Sequence, residues 1–212
     1  MEINENIEIC KNCGGMCCKK SGCDFWPNDL QDKTLKGILK FLESGKVSIV
    51  AAMKFKRING KLCNFPFLYL RSRNIDRDVI DLLSMKTPCS NLTDTGCSYS
   101  YDERPSGGKN LTPSKDGLCF PREDSLQKIL EWEPYQKQLG KIVKRYTGML
   151  VDDKIKEDVV ELLTDIKEEN FKNVSELEIK DIKNMFPMLI ECYPEETKKV
   201  INTHNKLLVK NN

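Results

Sequence analysis

The sequence predicts an α+β fold: a small cysteine-rich, metal-stapled region with a β-hairpin and helices, followed by an all-helical C-terminal region. Three observations carry this expectation. Two apolar runs, 47–57 and 61–71, flank Asn59-Gly60, a strong two-residue hairpin signal. From residue 123 onward, apolar residues recur at three- and four-residue spacing, the period of a helix that buries one face. Nine of the ten cysteines lie between residues 10 and 119, and the tenth, Cys192, stands apart. The division is therefore placed at 1–122 for a cysteine-cluster metal-binding region and 123–212 for a helical region packed on it.

The elements follow in order. Leu30, Leu35, Ile38, Leu39 and Leu42 predict a helix over 29–44, ended by Ser44-Gly45. The run VSIVAAMKFKR (47–57) reads as a strand, and KLCNFPFLYLR (61–71) as its return. Pro66 has no amide proton, so it places the return strand at a sheet edge or a bulge. Ile75, Val79 and Leu82 predict a helix over 75–85. Residues 87–121 are punctuated by Pro88, Gly96, Pro105, Gly107, Gly108, Pro113, Gly117 and Pro121, and read as a long loop. A loop of that length is unusual in a compact domain unless something orders it. A metal site is the expected organiser, because ligand bonds can replace a missing apolar core. Leu126, Ile129, Leu130, Leu139, Ile142 and Val143 then predict a helix broken or kinked at Pro134. Ile155, Val159, Leu162 and Ile166 mark a second helix, and Leu177, Ile182, Met185, Phe186 and Leu189 a third. Val200, Ile201, His204, Leu207 and Leu208 mark a fourth, after Pro194.

Composition narrows the function classes. The 212 residues are 39% hydrophobic and 31% charged, with a net charge of +2. Residues 1–122 hold 19 basic and 14 acidic side chains, and residues 123–212 hold 15 and 18. That split does not favour nucleic acid on charge alone. No apolar run is long enough to span a bilayer. The opening MEINENIEIC has three glutamates and no basic residue, so it does not read as a secretory signal. A cytoplasmic protein is expected, and there thiols stay reduced and crowded cysteines point to metal or catalysis rather than disulfides.

The first cysteine group, Cys10, Cys13, Cys17, Cys18 and Cys23, spans fourteen residues. A Cys-x2-Cys pair wraps two thiolates onto one ion, and Gly14-Gly15 supplies the turn that returns a third. The side chains of Cys17 and Cys18 diverge, so one of them bridges elsewhere, binds a different ion or stays unligated. Cys89, Cys97 and Cys119 form a second group, and Cys23 is a possible additional ligand. All-thiolate ligation selects zinc or an iron–sulfur cluster, and the spacing leaves both open. The single histidine, His204, lies on an apolar stripe and reads as a packing residue. Cys63 and Cys192 read as small buried hydrophobes. The segment RPSGGKNLTPS reads as a plain connecting loop, not a phosphate cradle.

The residues Cys10-x2-Cys13-Gly14-x2-Cys17-Cys18, Cys89-x2-Leu92, Gly96-Cys97, Arg104-Pro105 and Cys119-Phe120-Pro121 together resemble the YkgJ-like cysteine-cluster family. Its members are described as zinc- or iron-chelating proteins, and relatives of the motif occur in flagellin lysine methylases. The resemblance covers roughly 10–121. It implies a metal-binding role. Arg104 reads first as a residue that orders its loop through backbone contacts, and otherwise as a hydrogen-bond donor beside the metal site. Three functions follow as expectations. The first is a metal-binding protein with all-cysteine zinc or iron–sulfur sites. The second is an iron–sulfur enzyme acting on a peptide or protein side chain. The third is a zinc-stapled adaptor for protein or RNA: the aromatics Phe25, Trp26, Phe65, Phe67, Tyr69, Tyr99 and Tyr101 mix with Lys54, Lys56, Arg57, Arg71 and Arg73, as on a sheet that binds a single strand, but the same composition describes an ordinary hairpin with a polar face, which is the favoured reading over nucleic acid.

Overall fold

The computed structural model describes residues 22–72, 78–83, 89, 91–94, 96–113, 119–121, 123–167 and 176–201. Its fold is α+β, a small antiparallel sheet followed by a helical C-terminal region. The centre is a long hairpin, β2 (Val47–Ile58) and β3 (Lys61–Ser72), in register from Val47 opposite Ser72 to Ile58 opposite Lys61. Asn59 and Gly60 both take positive φ, 50° and 79°, as a type I′ turn requires. A short strand, β1 (Asp24–Phe25), pairs with the far end of β3, giving the order β1-β3-β2.

The outer edge of β2 is closed by residues 79–82. Ile49 donates its N–H to the Val79 carbonyl (2.8 Å), Asp81 donates to Ile49 (3.0 Å), and Ala51 donates to Leu82 (2.9 Å). This corrects the helix expected over 75–85. Of that stretch, residues 78–83 are described: they lie beside β2 with a parallel bridge between Ile49 and Ile80, followed by a turn at Leu82 and Leu83. The apolar spacing of Val79 and Leu82 suits a helix, but the unpaired strand edge offers those backbone groups partners that a short helix does not. The Ser48 hydroxyl adds a 2.9 Å bond to the Asp78 carbonyl.

The edge of β3 beyond β1 is satisfied by side chains. The Gln136 amide accepts from Leu68 N–H (2.9 Å) and donates to its carbonyl (2.7 Å), imitating a paired strand. The Asn64 backbone lies beside the Cys192 thiol and lowers its pKa against the larger rise that burial imposes. Pro66, which has no N–H to place, sits between these two on the open edge, as its chemistry predicts.

The helices are α1 (Leu35–Leu42), α2 (Ser106–Lys109), α3 (Ser125–Leu130), α4 (Gln136–Thr147), α5 (Val151–Lys167) and α6 (Glu176–Cys192). Helix α1 is shorter than the predicted 29–44 because Thr34 caps it, accepting Gly37 N–H at 3.2 Å. Pro134 lies in a 3-10 turn, Glu133–Tyr135, that separates α3 from α4, so the predicted break is present. Residues 194–201 continue as helix after Tyr193. One core joins these parts: Ile49, Leu68 and Leu70 of the hairpin pack with Ile38, Leu42, Trp132, Leu139, Ile142, Val159 and Leu189. Trp132 is fully buried, and its indole N–H donates to the Phe25 carbonyl at 2.8 Å, tying the helices to β1. Phe25 meets Phe41 edge-on at 5.1 Å.

Candidate metal centre

The strand β1 brings the end of the first cysteine group to the sheet. Ser72 donates its N–H to the Cys23 carbonyl at 2.8 Å, extending the β1–β3 pairing by one bond. Asp24 ion-pairs with Arg71, Nε to Oδ1 2.6 Å, and Arg71 also donates to the Tyr69 hydroxyl at 2.6 Å. Burial works against the Arg71 charge, but the Asp24 ion pair and hydrogen bond, with Tyr69 and Asp81, together outweigh it, so Arg71 stays cationic in the interior. A positive charge is thus held beside the segment that carries Cys23.

Two further parts of the chain converge there. A Cβ placed on Gly22 would lie 3.5 Å from the Cβ of Cys89, so the trailing end of the first cysteine group touches the start of the second. Cys89 is buried, and the Asn91 amide approaches its sulfur at 3.8 Å. Leu92 N–H donates back to the Cys89 carbonyl at 3.0 Å. The small hairpin β4 (Leu92–Thr93) and β5 (Gly96–Cys97) then sets Cys97 opposite Leu92.

The other contributor is α2. Gly107 and Gly108 lie against the cysteine segment with no room for a side chain. A Cβ on Gly107 would meet the Asp24 carbonyl at 2.4 Å, and one on Gly108 would meet the Cys23 sulfur at 2.9 Å. Asp29 fixes the start of this one-turn helix: its carboxylate accepts the Ser106 N–H (3.0 Å) and hydroxyl (2.6 Å), and also the Trp26 N–H (2.8 Å). The plain loop expected over RPSGGKNLTPS is therefore in part an anchored helix turn. Its two glycines serve close approach, not conformational slack. Arg104 enters this turn half-buried, with its Cβ within 3.5 Å of the position a Gly108 Cβ would take. Beyond α2, Asn110 is buried and clasps Glu123 through two bonds, Nδ2 to carbonyl 2.9 Å and N–H to Oδ1 2.8 Å. That clasp closes the hairpin β6 (Leu111–Pro113) and β7 (Cys119–Pro121), which positions the backbone of Cys119.

Of the predicted ligands, the structure thus brings Cys23 and Cys89 to Gly22–Asp24, with the Arg104 turn beside them, and places Cys97 on β5 opposite Leu92. Cys10, Cys13, Cys17 and Cys18 lie outside the described residues, as does the side chain of Cys119. Among the described residues, no group of three or more histidine, cysteine, aspartate or glutamate side chains stands ready to hold a metal. A complete thiolate set would therefore draw on the N-terminal cysteines. The donor chemistry fits a soft ion or cluster: sulfur ligands, a nitrogen donor near Cys89 and a buried guanidinium nearby. Cys63 and Cys192 are half-buried and stand away from this region, on β3 and at the end of α6. Burial raises the Cys192 thiol above its ordinary pKa.

Sequence reasoning missed Asp29, Asn110, Asp24 and Arg71. Their signal is weak: each is a common polar residue whose partner lies 13 to 77 positions away. Gly107-Gly108 after Arg104-Pro105 was the readable clue, since paired glycines mark close backbone approach as well as turns. No family model matches the chain, and no curated protein or solved structure matches it. The family resemblance rests on the cysteine motifs alone.

Proposed function

We propose that this chain is a cytoplasmic metal-binding protein that holds zinc or an iron–sulfur cluster on an all-cysteine donor set. The observation that carries the reading is the sequence clustering of Cys10, Cys13, Cys17 and Cys18 with Cys89, Cys97 and Cys119 behind them. The approach of Gly22 to Cys89 supports it, because the residue that precedes Cys23 lies against the first cysteine of the second group. In this reading the hairpin and helices are a scaffold, and the segments 22–24, 89–97 and 104–110 form the floor on which the N-terminal thiolates close. Asn91 and Arg71 would moderate the negative charge that several thiolates accumulate.

The test is metal content after anaerobic purification, read with the visible spectrum. Stoichiometric zinc in a colourless protein, or iron and sulfide in a brown one, supports the proposal and chooses between its two forms. Replacing Cys10 and Cys13 by serine should then release the metal. A fully folded protein with neither zinc nor iron would remove the proposal.

A further inference from the structure

The hairpin register separates residues that the sequence leaves interleaved. On one face of its outer half, Lys54 stands opposite Phe65, Lys56 opposite Cys63, and Ile58 opposite Lys61. Side chains alternate along a strand, so Lys54, Lys56, Ile58, Lys61, Cys63, Phe65 and Phe67 share that face, with no carboxylate among them. Phe65 is 46% exposed and Ile58 is 43% exposed. The Lys54 ammonium lies 4.9 Å from the centre of the Phe67 ring. The opposite face is spoken for: Arg57 pairs with Glu191 at 2.8 Å, Asn64 donates to the Tyr193 hydroxyl at 2.8 Å, and Met53 and Phe55 pack on the core. The inner half of the lysine face is closed as well, with Val50 and Tyr69 buried and Ala52 and Phe67 packed against the core, so the open part runs from Lys54 and Phe65 outward.

We propose that the outer half of this face docks single-stranded nucleic acid, with phosphates on Lys54, Lys56 and Lys61 and a base stacked on Phe65. Charge complementarity gives the class of partner: three cations that pair with no carboxylate among the described residues call for a polyanion. The exposed ring selects among polyanions. An acidic peptide would engage the lysines and leave Phe65 in water, whereas a single strand offers a planar base beside each phosphate. Lys54 and Lys56 are two residues apart on one strand, about 6.7 Å, so successive charges can follow an extended backbone. Arg57, which a linear reading groups with these lysines, points away and takes no part. The surface does not depend on the metal reading, because none of its residues belongs to the cysteine segments that reading uses.

The experiment is fluorescence anisotropy of the full chain with a labelled mixed-sequence RNA or DNA single strand of about 12 nucleotides, over a range of salt. The intact protein should bind, with log affinity falling against log salt at a slope near −2, about −0.7 for each of three lysines. Phe65→Ala should weaken binding about tenfold. Neutralising Lys54, Lys56 and Lys61 to glutamine should abolish most of the salt slope, and Arg57→Gln should change nothing. No binding at about 50 mM salt would overturn the proposal. So would equal affinity of the Phe65→Ala protein, or equally tight lysine-dependent binding of poly-glutamate, which would give the face to an acidic polypeptide. All the substituted side chains are at least partly exposed, and circular dichroism with an unchanged melting profile confirms that each variant is folded.

Discussion

The hairpin Val47–Ser72 places Val47, Ile49, Val50, Leu68 and Leu70 in the apolar core. Between Leu82 and Ile129, the residues whose side chains are described bury Cys89, Pro105, Gly108 and Asn110 but no leucine, isoleucine or valine. The first region is held by area removed from water. The second is held by a few polar clasps, Asp29 on Ser106 and Asn110 on Glu123, and by glycines that let backbone lie on backbone. The difference teaches where each region is vulnerable. Burial is spread over many contacts and is indifferent to thiol chemistry. A clasp concentrates stability in one side chain, and a bound metal would be a further clasp of the same kind.

The contrast can be broken at its strongest point first. Trp132→Ala removes the largest fully buried side chain and its bond to Phe25. It should cost about 3–5 kcal/mol in urea unfolding and loosen helices and sheet together. If only the 89–121 segment loosened, the two regions would not be held as described. Asp29→Ala comes next, at about 1.5–3 kcal/mol, the range for hydrogen bonds to a charged group. Its effect should be local: amide exchange should speed up around Ser106 and Asn110 while the hairpin amides stay protected. Uniform loss of protection across the hairpin would erase the distinction.

A third effect lies inside the scaffold. Burial lifts the Asp158 carboxyl to about 6, against the pull of its bond from Lys154, with the Asp81 and Glu161 charges adding to the rise. A folded-state value above the unfolded one of 3.8 means that protonation favours the folded state. Stability from this group is present at acidic pH and is lost as pH rises through about 6. The unfolding midpoint should therefore increase between pH 7 and pH 5, by the equivalent of about 1–2 kcal/mol. Asp158→Asn should flatten that dependence, and an unchanged slope would place its origin elsewhere. The smallest effect belongs to the exposed pair Arg57–Glu191. Breaking it with Glu191→Gln should leave the unfolding midpoint where it is, since exposed ion pairs contribute little.

The parts of the fold legible in the sequence are those whose signals are local. Asn59-Gly60 announces its turn, the flanking runs alternate at the strand period, and Pro134 interrupts the helix it stands in. The residues 75–85 misled because Val79 and Leu82 carry a helical spacing while their backbone is claimed by the edge of β2. Competition of that kind is invisible until the edge exists. The candidate centre was legible as a list of cysteines and as an expectation that 87–121 needs an organiser. It was not legible that Asp29 and Asn110 are organisers, because each acts on a partner that only folding brings near.

The kinds of side chain on offer follow from the sequence by itself: ten cysteines, one histidine and a crowding of thiols near the N-terminus. The hairpin and the helical C-terminal region follow too, since both rest on periodicity within one stretch of chain. Tertiary structure alone decided that Cys89 meets Gly22, that Gly108 lies on Cys23, and that Lys54, Lys56 and Lys61 face one way while Arg57 faces the other. The physical reason is the same in each case. Side-chain type is carried by the residue, but proximity and facing are set by register and long-range packing, which no local stretch contains.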